Sequence, residues 1–324
     1  MPVVDIALLA VLENHLRNMQ YFNHRKLLLR SIGLVAIAYI STCLFLFVRQ
    51  RYFIFRPTPQ ISTLPSSPNF LLPYKDVRLP ITGSNKYIHG WWIPAPLPKE
   101  KLSLIPNEPV KILKSPKTFL YFCGAANNKG YYNYIGRLQA MRQLGFSVLV
   151  IDYRGFGSSK GNFPSESQLY EDSQIAWNYL VKIQQIPPNK IVIYGESIGG
   201  AVAINLAVKR PEASGLIVQS SFTSMAEQIK YRDWLRMFPI DLLLTQKFDS
   251  IYKVRSLRLP VLFIHGTDDS IVPSYMTQQL YDAAPEPKQL LLIPKGKHVQ
   301  IYQPGSNSYL QAIQKFIQKV ESQE

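Results

Sequence analysis

Two cysteines in 324 residues, Cys43 and Cys123, are too few for a disulfide framework or a cysteine-based zinc site. No H-E-x-x-H run appears, nor any grouping of histidines with carboxylates, so metal-assisted hydrolysis has no ligand set to use. Acidic residues are scarce, 21 against 36 Lys and Arg, and the resulting formal charge of +15 invites a nucleic-acid partner. The distribution of that charge argues against one. Basic residues are scattered, and their two small clusters (Arg25, Lys26 and Arg30, then Arg49, Arg51 and Arg56) flank one apolar stretch, where cations are drawn to anionic lipid headgroups. Neither a nucleic acid nor a cofactor is expected.

The apolar stretch covers residues 31–48, 18 residues without a charge. As a helix it is about 27 Å long, close to the thickness of a hydrocarbon core. A buried core helix is less consistent with its uniform hydrophobicity and charged flanks, and no A-x-A site closes it as a cleaved signal peptide would. Ile40-Ser41-Thr42-Cys43 is only a weak match to a lipoprotein signal, because Thr precedes the cysteine and apolar residues follow it. The expected organisation is an N-terminal segment at 1–30, a single transmembrane helix at 31–48, a proline-rich linker at 49–73 and a catalytic body at 74–324. Four basic residues upstream and three close downstream leave the positive-inside rule nearly balanced. Six prolines from Pro57 to Pro80 favour an extended tether.

Beyond the linker, residues 76–81 and 86–93 read as a hairpin around the turn Thr82-Gly83-Ser84-Asn85, and 94–116 as a polar surface excursion. Apolar strands then alternate with amphipathic helices: strands at 118–123, 147–153, 190–194, 215–219, 261–265 and 289–293, and helices at 133–144, 165–184, 198–209, 275–283 and 308–320. This alternation predicts an α/β fold with a mostly parallel central sheet covered by helices on both faces, its ligands bound beyond the carboxyl ends of the strands. Residues 220–259 interrupt the beat. Trp234, Met237, Phe238, Leu242, Leu243 and Leu244 make them a candidate cap, ordinary core packing being equally compatible.

Gly195-Glu196-Ser197-Ile198-Gly199 joins a β-branched strand to a helix-forming segment, the pattern of a nucleophile elbow that leaves a serine Oγ exposed on a sharp turn. Such a serine needs a base, and the base needs an orienting group. Of five histidines, His15 and His24 precede the membrane segment, His89 lies inside a hairpin strand, and His265 ends a strand where its backbone is expected to matter more than its ring. His298, after the last strand and 101 residues beyond Ser197, is the expected general base. In the loop His265-Gly-Thr-Asp268-Asp269-Ser-Ile-Val-Pro273, the form H-G-x-x-D-x-x-V-P selects Asp269 as the orienting carboxylate and leaves Asp268 to a turn or solvent. The oxyanion donors expected are the backbone N–H of Ile198 and that of Ala125, with Gly124 the positional alternative.

These residues resemble the α/β-hydrolase fold of the Bem46 and ABHD13/ABHD17-like group, a serine aminopeptidase S33-type hydrolase domain, from about Phe55 to the carboxyl terminus. The resemblance is carried by DYRGFGSSKG at 152–161, GESIGG at 195–200, SSFTS at 220–224 and HGTDDSIVP at 265–273. It implies a membrane-tethered serine hydrolase with Ser197, Asp269 and His298 as its triad. Relatives of this kind usually carry His-Gly where this chain has Cys123-Gly124. Thioesterases that remove acyl groups from proteins are among them, so the expected activity is cleavage of carboxylic-ester or thioester bonds in a lipid, an acyl ester or an S-acylated protein. The alternative is an inactive membrane-anchored scaffold or ligand-binding protein on the same fold.

Overall fold

The computed structural model describes residues 6–96, 117–302 and 307–322, and the chain divides into two units after Gln50. The surface excursion expected at 94–116 falls almost entirely outside the described residues.

The first unit belongs to helix α1 (Ile6–Ile54). No glycine or proline occurs between Pro2 and Gly33, so nothing in the local chemistry ends a helix before the apolar stretch, and the N-terminal segment expected to be separate is helical from Ile6. The helix is long and apolar enough to cross a membrane, with an 18-residue window of mean hydropathy 2.3 that is not buried against protein. Hydroxyls here satisfy themselves: Ser31 Oγ and Thr42 Oγ1 donate to the carbonyls of Leu27 and Ala38 one turn back, at 3.0 and 2.9 Å.

The second unit is built on an eight-stranded sheet ordered β1-β2-β4-β3-β5-β6-β7-β8. The hairpin of β1 (Lys75–Pro80) and β2 (Tyr87–Ile93) is antiparallel and joins β4 (Ser147–Ile151) antiparallel as well. All remaining pairings are parallel, through β3 (Thr118–Phe122), β5 (Ile191–Glu196), β6 (Gly215–Gln219), β7 (Val261–Gly266) and β8 (Lys288–Ile293). β3, β5, β6 and β7 are buried at every position, which is why they read as unbroken apolar runs rather than alternating ones.

Alternate strand residues feed two apolar layers. Leu120, Ile193, Val218 and Phe263 pack with α3 (Glu166–Asn178), α4 (Ile198–Lys209) and α8 (Ser274–Ala283). Phe119, Val192, Ile217 and Ile264 pack on the other face with α2 (Tyr132–Gln143) and α9 (Asn307–Glu321). The helix expected over 165–184 is α3 followed by a π-helical turn at Tyr179–Ile183, and Ser165 caps its start by accepting from the N–H of Gln168.

Between β6 and β7 the insertion holds only short pieces: α5 (Met225–Lys230), a 3₁₀ turn (Asp233–Met237), α6 (Ile240–Leu243) and α7 (Ser250–Lys253). Its residues divide between the two readings. Met225, Ile240, Leu244, Phe248 and Val254 are core, whereas Trp234, Met237 and Leu242 are 68%, 67% and 81% exposed.

The proline-rich stretch does not hang free as a tether. Phe55, Phe70 and Leu72 are buried, and the backbone between them is bonded along the loop after β3. Arg56 N–H donates to the Ala125 carbonyl at 2.9 Å, and Thr63 N–H to the Gly130 carbonyl at 3.1 Å. Asn128 Nδ2 donates to the carbonyls of Thr58 and Gln60 at 2.8 and 2.6 Å, while its Oδ1 accepts from Gly130 N–H. Prolines lack an N–H, so the donors in this pairing come from the residues between them and from the loop itself.

Candidate active site

Strand β5 ends in a turn tight enough to press backbone on backbone. A Cβ on Gly195 would strike the carbonyl of Gly199, and one on Gly199 would strike those of Phe122 and Cys123, so neither position accepts a side chain without displacement. Ser197 at the apex has φ 57° and ψ −121°, a strained backbone for a non-glycine residue. The turn is held by Ser197 N–H donating to the Gln219 carbonyl at 2.9 Å and by Ser221 Oγ donating to the Ser197 carbonyl at 2.8 Å. Helix α4 begins at Ile198, and the serine side chain makes no capping bond to it, which leaves Oγ free to turn outward.

Two loops from neighbouring strands complete the site. After β7, Asp269 Oδ1 accepts the backbone N–H groups of Ile271 and Val272, both at 2.9 Å. After β8, the loop carrying His298 is tied to the Asp269 loop by Asp268 N–H to the Gly296 carbonyl at 3.0 Å and Lys295 N–H to Thr267 Oγ1 at 2.9 Å. His298 Nδ1 lies 2.6 Å from Asp269 Oδ2, and its Nε2 lies 3.2 Å from Ser197 Oγ. A carboxylate oxygen can only accept, so Nδ1 carries the proton and Nε2 presents its lone pair to the serine hydroxyl. Asp268 is exposed.

Asp269 is charged despite its surroundings. Burial works to raise its pKa, but hydrogen bonds from His265 and His298, the electrostatic attraction of the His298 ring and the Val272 N–H outweigh it and hold the carboxyl well below the usual range. His265 is the participant that sequence reasoning missed. Its ring is fully buried, with Nε2 3.0 Å from Asp269 Oδ2 and 2.9 Å from the Val272 carbonyl, and Nδ1 2.6 Å from Thr277 Oγ1. The imidazole, not only the backbone, therefore matters at this position, and the full H-G-x-x-D spacing was the signal for it.

On the opposite side of Ser197 lies the loop after β3. Gly124 N–H donates to the Tyr134 hydroxyl at 3.1 Å and is thereby occupied. The N–H groups of Ala125 and Ile198 make no hydrogen bond among the described residues, so these two remain open to a ligand. Cys123 is buried, and that burial pushes its thiol pKa up and keeps it protonated. The same loop is anchored by Lys129, whose N–H donates to Asp152 Oδ1 at 2.7 Å and whose ammonium pairs with Asp152 Oδ2 while lying 4.5 Å from the Trp91 ring centroid.

Beneath the elbow is a buried ion pair with no local sequence signature. Arg137 of α2 reaches Glu196 Oε2 at 2.6 Å, donates through Nε to the Tyr121 hydroxyl at 3.0 Å, and donates through Nη1 to the Val299 carbonyl at 3.2 Å. One guanidinium thus touches the neighbours in sequence of both Ser197 and His298. Among the described residues, no three His, Cys, Asp or Glu side chains form a metal-ligand set.

Comparison with known proteins agrees with this architecture. Residues 115–253 match the family model described as serine aminopeptidase, S33. The chain is 40% identical to the bem46 protein of Schizosaccharomyces pombe over 167 residues, 49% of this chain and 54% of that one. It is 33% identical over 217 residues to an uncharacterized membrane protein of Saccharomyces cerevisiae, covering 62% and 74% of the two chains. With the lysophosphatidylserine lipase ABHD12 of Danio rerio it shares 32% identity over 269 residues, 75% of this chain and 65% of that one. The alignment spans 62% of the length of relatives from Mycobacterium tuberculosis and 55% of one from Escherichia coli. Among solved structures, an esterase of Pyrococcus furiosus superposes with a TM-score of 0.61 at 18% identity, covering 82% of this chain and 98% of the esterase, a likeness of fold.

Proposed function

The chain belongs to the serine aminopeptidase S33 family of α/β-hydrolases, in the group that includes the bem46 protein, and from that membership we propose that it is a membrane-tethered serine hydrolase of carboxylic-ester or thioester bonds. The observation that carries this reading is the alignment of Ser197 Oγ, His298 and Asp269 in one hydrogen-bonded line. In the proposed reaction Ser197 Oγ attacks the substrate carbonyl carbon as its proton passes to His298 Nε2, and Asp269 holds the resulting imidazolium in place. The carbonyl π pair moves onto oxygen, where the N–H groups of Ala125 and Ile198 receive the developing charge, each contributing roughly 3 kcal/mol to the transition state. Collapse expels an alkoxide or thiolate that takes its proton from His298 and leaves an acyl ester on Ser197. Water, deprotonated in turn by His298, releases the acid and restores the serine.

A lipid, an acyl ester or an S-acylated protein is the proposed substrate class. Two observations support it: an apolar helix long enough to cross a bilayer, proposed to do so once over residues 31–48, and similarity to a lysophospholipid lipase. A fluorophosphonate probe is expected to label the folded wild-type protein, and Ser197→Ala to abolish the labelling. Absence of labelling in folded wild type overturns the assignment.

A further inference from the structure

The insertion between β6 and β7 presents an exposed apolar surface. Trp234 and Met237 are three residues apart in a 3₁₀ turn, a spacing that puts them on one side, and both are about two-thirds exposed. Leu242 of α6, 81% exposed, and Tyr231 at the end of α5 extend the apolar surface. The pieces are tied together, because Arg236 Nε donates to the Lys230 carbonyl at 2.8 Å and Lys230 Nζ lies 2.8 Å from Asp241. The face also borders the candidate active site, since Gln228 Nε2 donates to the Ile271 carbonyl, two residues from Asp269, at 2.6 Å.

The insertion as a whole is basic: from 225 to 259 there are seven Lys and Arg against four Asp and Glu, the excess coming from Lys247, Lys253, Arg255 and Arg258 beyond the exposed face. Arg232 and Arg236 flank Trp234, and Arg232 makes no ion pair among the described residues. An indole beside arginines on an exposed turn suits the boundary between lipid headgroups and acyl chains, where the ring is half solvated and long cationic side chains reach phosphates.

A second observation concerns where the body begins. Its first residues lie against the far end of the same insertion: the Phe55 ring packs edge-on to Phe248, centroids 6.2 Å apart. Arg51 donates to the carbonyls of Phe163 and Pro164, on the loop that leads into α3, whose first residue Glu166 accepts the N–H groups of Lys247 and Phe248 at 2.6 and 2.9 Å. The chain therefore joins the body beside this insertion. A membrane anchor immediately upstream would keep the exposed face at high local lipid concentration, where even a weak patch is occupied.

We propose that the face carrying Trp234, Met237 and Leu242 docks on the headgroup layer of an anionic bilayer. The test places the full-length protein in phosphatidylserine–phosphatidylcholine vesicles containing brominated acyl chains. Subtracting the emission of Trp234→Phe isolates this one indole from Trp91 and Trp177, which are buried, and from Trp92, which is half-buried. Loss of the Trp234 emission to the brominated lipid, with shielding from aqueous acrylamide, is expected. Arg232→Gln and Arg236→Gln should each weaken the contact about fivefold, and omission of phosphatidylserine should weaken it likewise. Trp234 open to acrylamide but untouched by bromine overturns docking in favour of a solvent-exposed turn. Shielding from both quenchers overturns it in favour of a protein partner. No turnover is read, so the result is independent of the proposed chemistry.

Discussion

His265 and His298 meet on one oxygen: Asp269 Oδ2 lies 3.0 Å from Nε2 of the first and 2.6 Å from Nδ1 of the second. His265 thus fixes the carboxylate from behind while His298 uses it from in front. In His265→Leu the Asp269 carboxyl pKa rises, because the first of the hydrogen bonds that hold it down is gone, and carbon-13 titration of the carboxyl reads the rise. With its carboxylate less firmly held, kcat on a soluble ester falls on the order of tenfold at little change in KM. A variant with wild-type kcat removes His265 from the positioning role.

Asp269 also makes stability depend on pH. Its folded pKa lies below the unfolded value of about 3.9, so the stabilisation is complete well above that value. As pH falls, the unfolded chain takes up the proton first and the contribution shrinks. Between pH 7 and pH 3 the difference in unfolding free energy between wild type and Asp269→Asn should narrow by about 1 kcal/mol, measured with urea. A difference constant over that range contradicts the depressed pKa.

Asn128 is the knot between the proline-rich strap and the loop after β3. Asn128→Ala leaves the Thr58 and Gln60 carbonyls without this donor, at about 1–3 kcal/mol of stability. The loop it frees carries the proposed Ala125 donor, so kcat should fall while KM changes little, the signature of a lost transition-state contact. Michaelis kinetics on a p-nitrophenyl ester, at a temperature where the variant is fully folded, check this. An unchanged kcat would restrict Asn128 to stability.

Arg137 and Glu196 should behave as a unit. Arg137→Met strands a buried carboxylate beside Ser197 and is expected to cost about 3–5 kcal/mol. Adding Glu196→Gln removes the uncompensated charge and should recover much of that loss. A double-mutant cycle by chemical denaturation measures the coupling, and simple additivity would deny it.

What could be read from the sequence was whatever its chemistry states locally. The elbow needs Gly195, Ser197 and Gly199 within five residues, and the hairpin needs Gly83 in its turn, so both are written in short windows. Asp269 and His298 each follow an apolar strand directly, and strand order then brings them to Ser197. His265 is legible only in part: its spacing to Asp269 and Val272 is local, but its place at the end of an apolar strand hides the ring, and its third partner Thr277 is brought to it only by the packing of α8 on β7. The Arg137–Glu196 pair joins a helix to a strand 59 positions away and has no periodicity to betray it. The strap is illegible for a different reason: prolines signal an extended chain correctly, but extended chains are found both solvated and paired, and its partners at Ala125 and Gly130 are remote in sequence.

That strap has a consequence for proteolysis of the chain. Residues 56–63 lie immediately downstream of the apolar helix and also clasp the loop that carries the proposed oxyanion donor. A protease cutting within 64–73 would break the chain but leave residues 51–63 seated on the body, held by Arg51 on the Phe163 and Pro164 carbonyls, by the buried Phe55 ring and by Asn128. The two cut pieces would therefore stay together as a nicked complex until that clasp is unfolded.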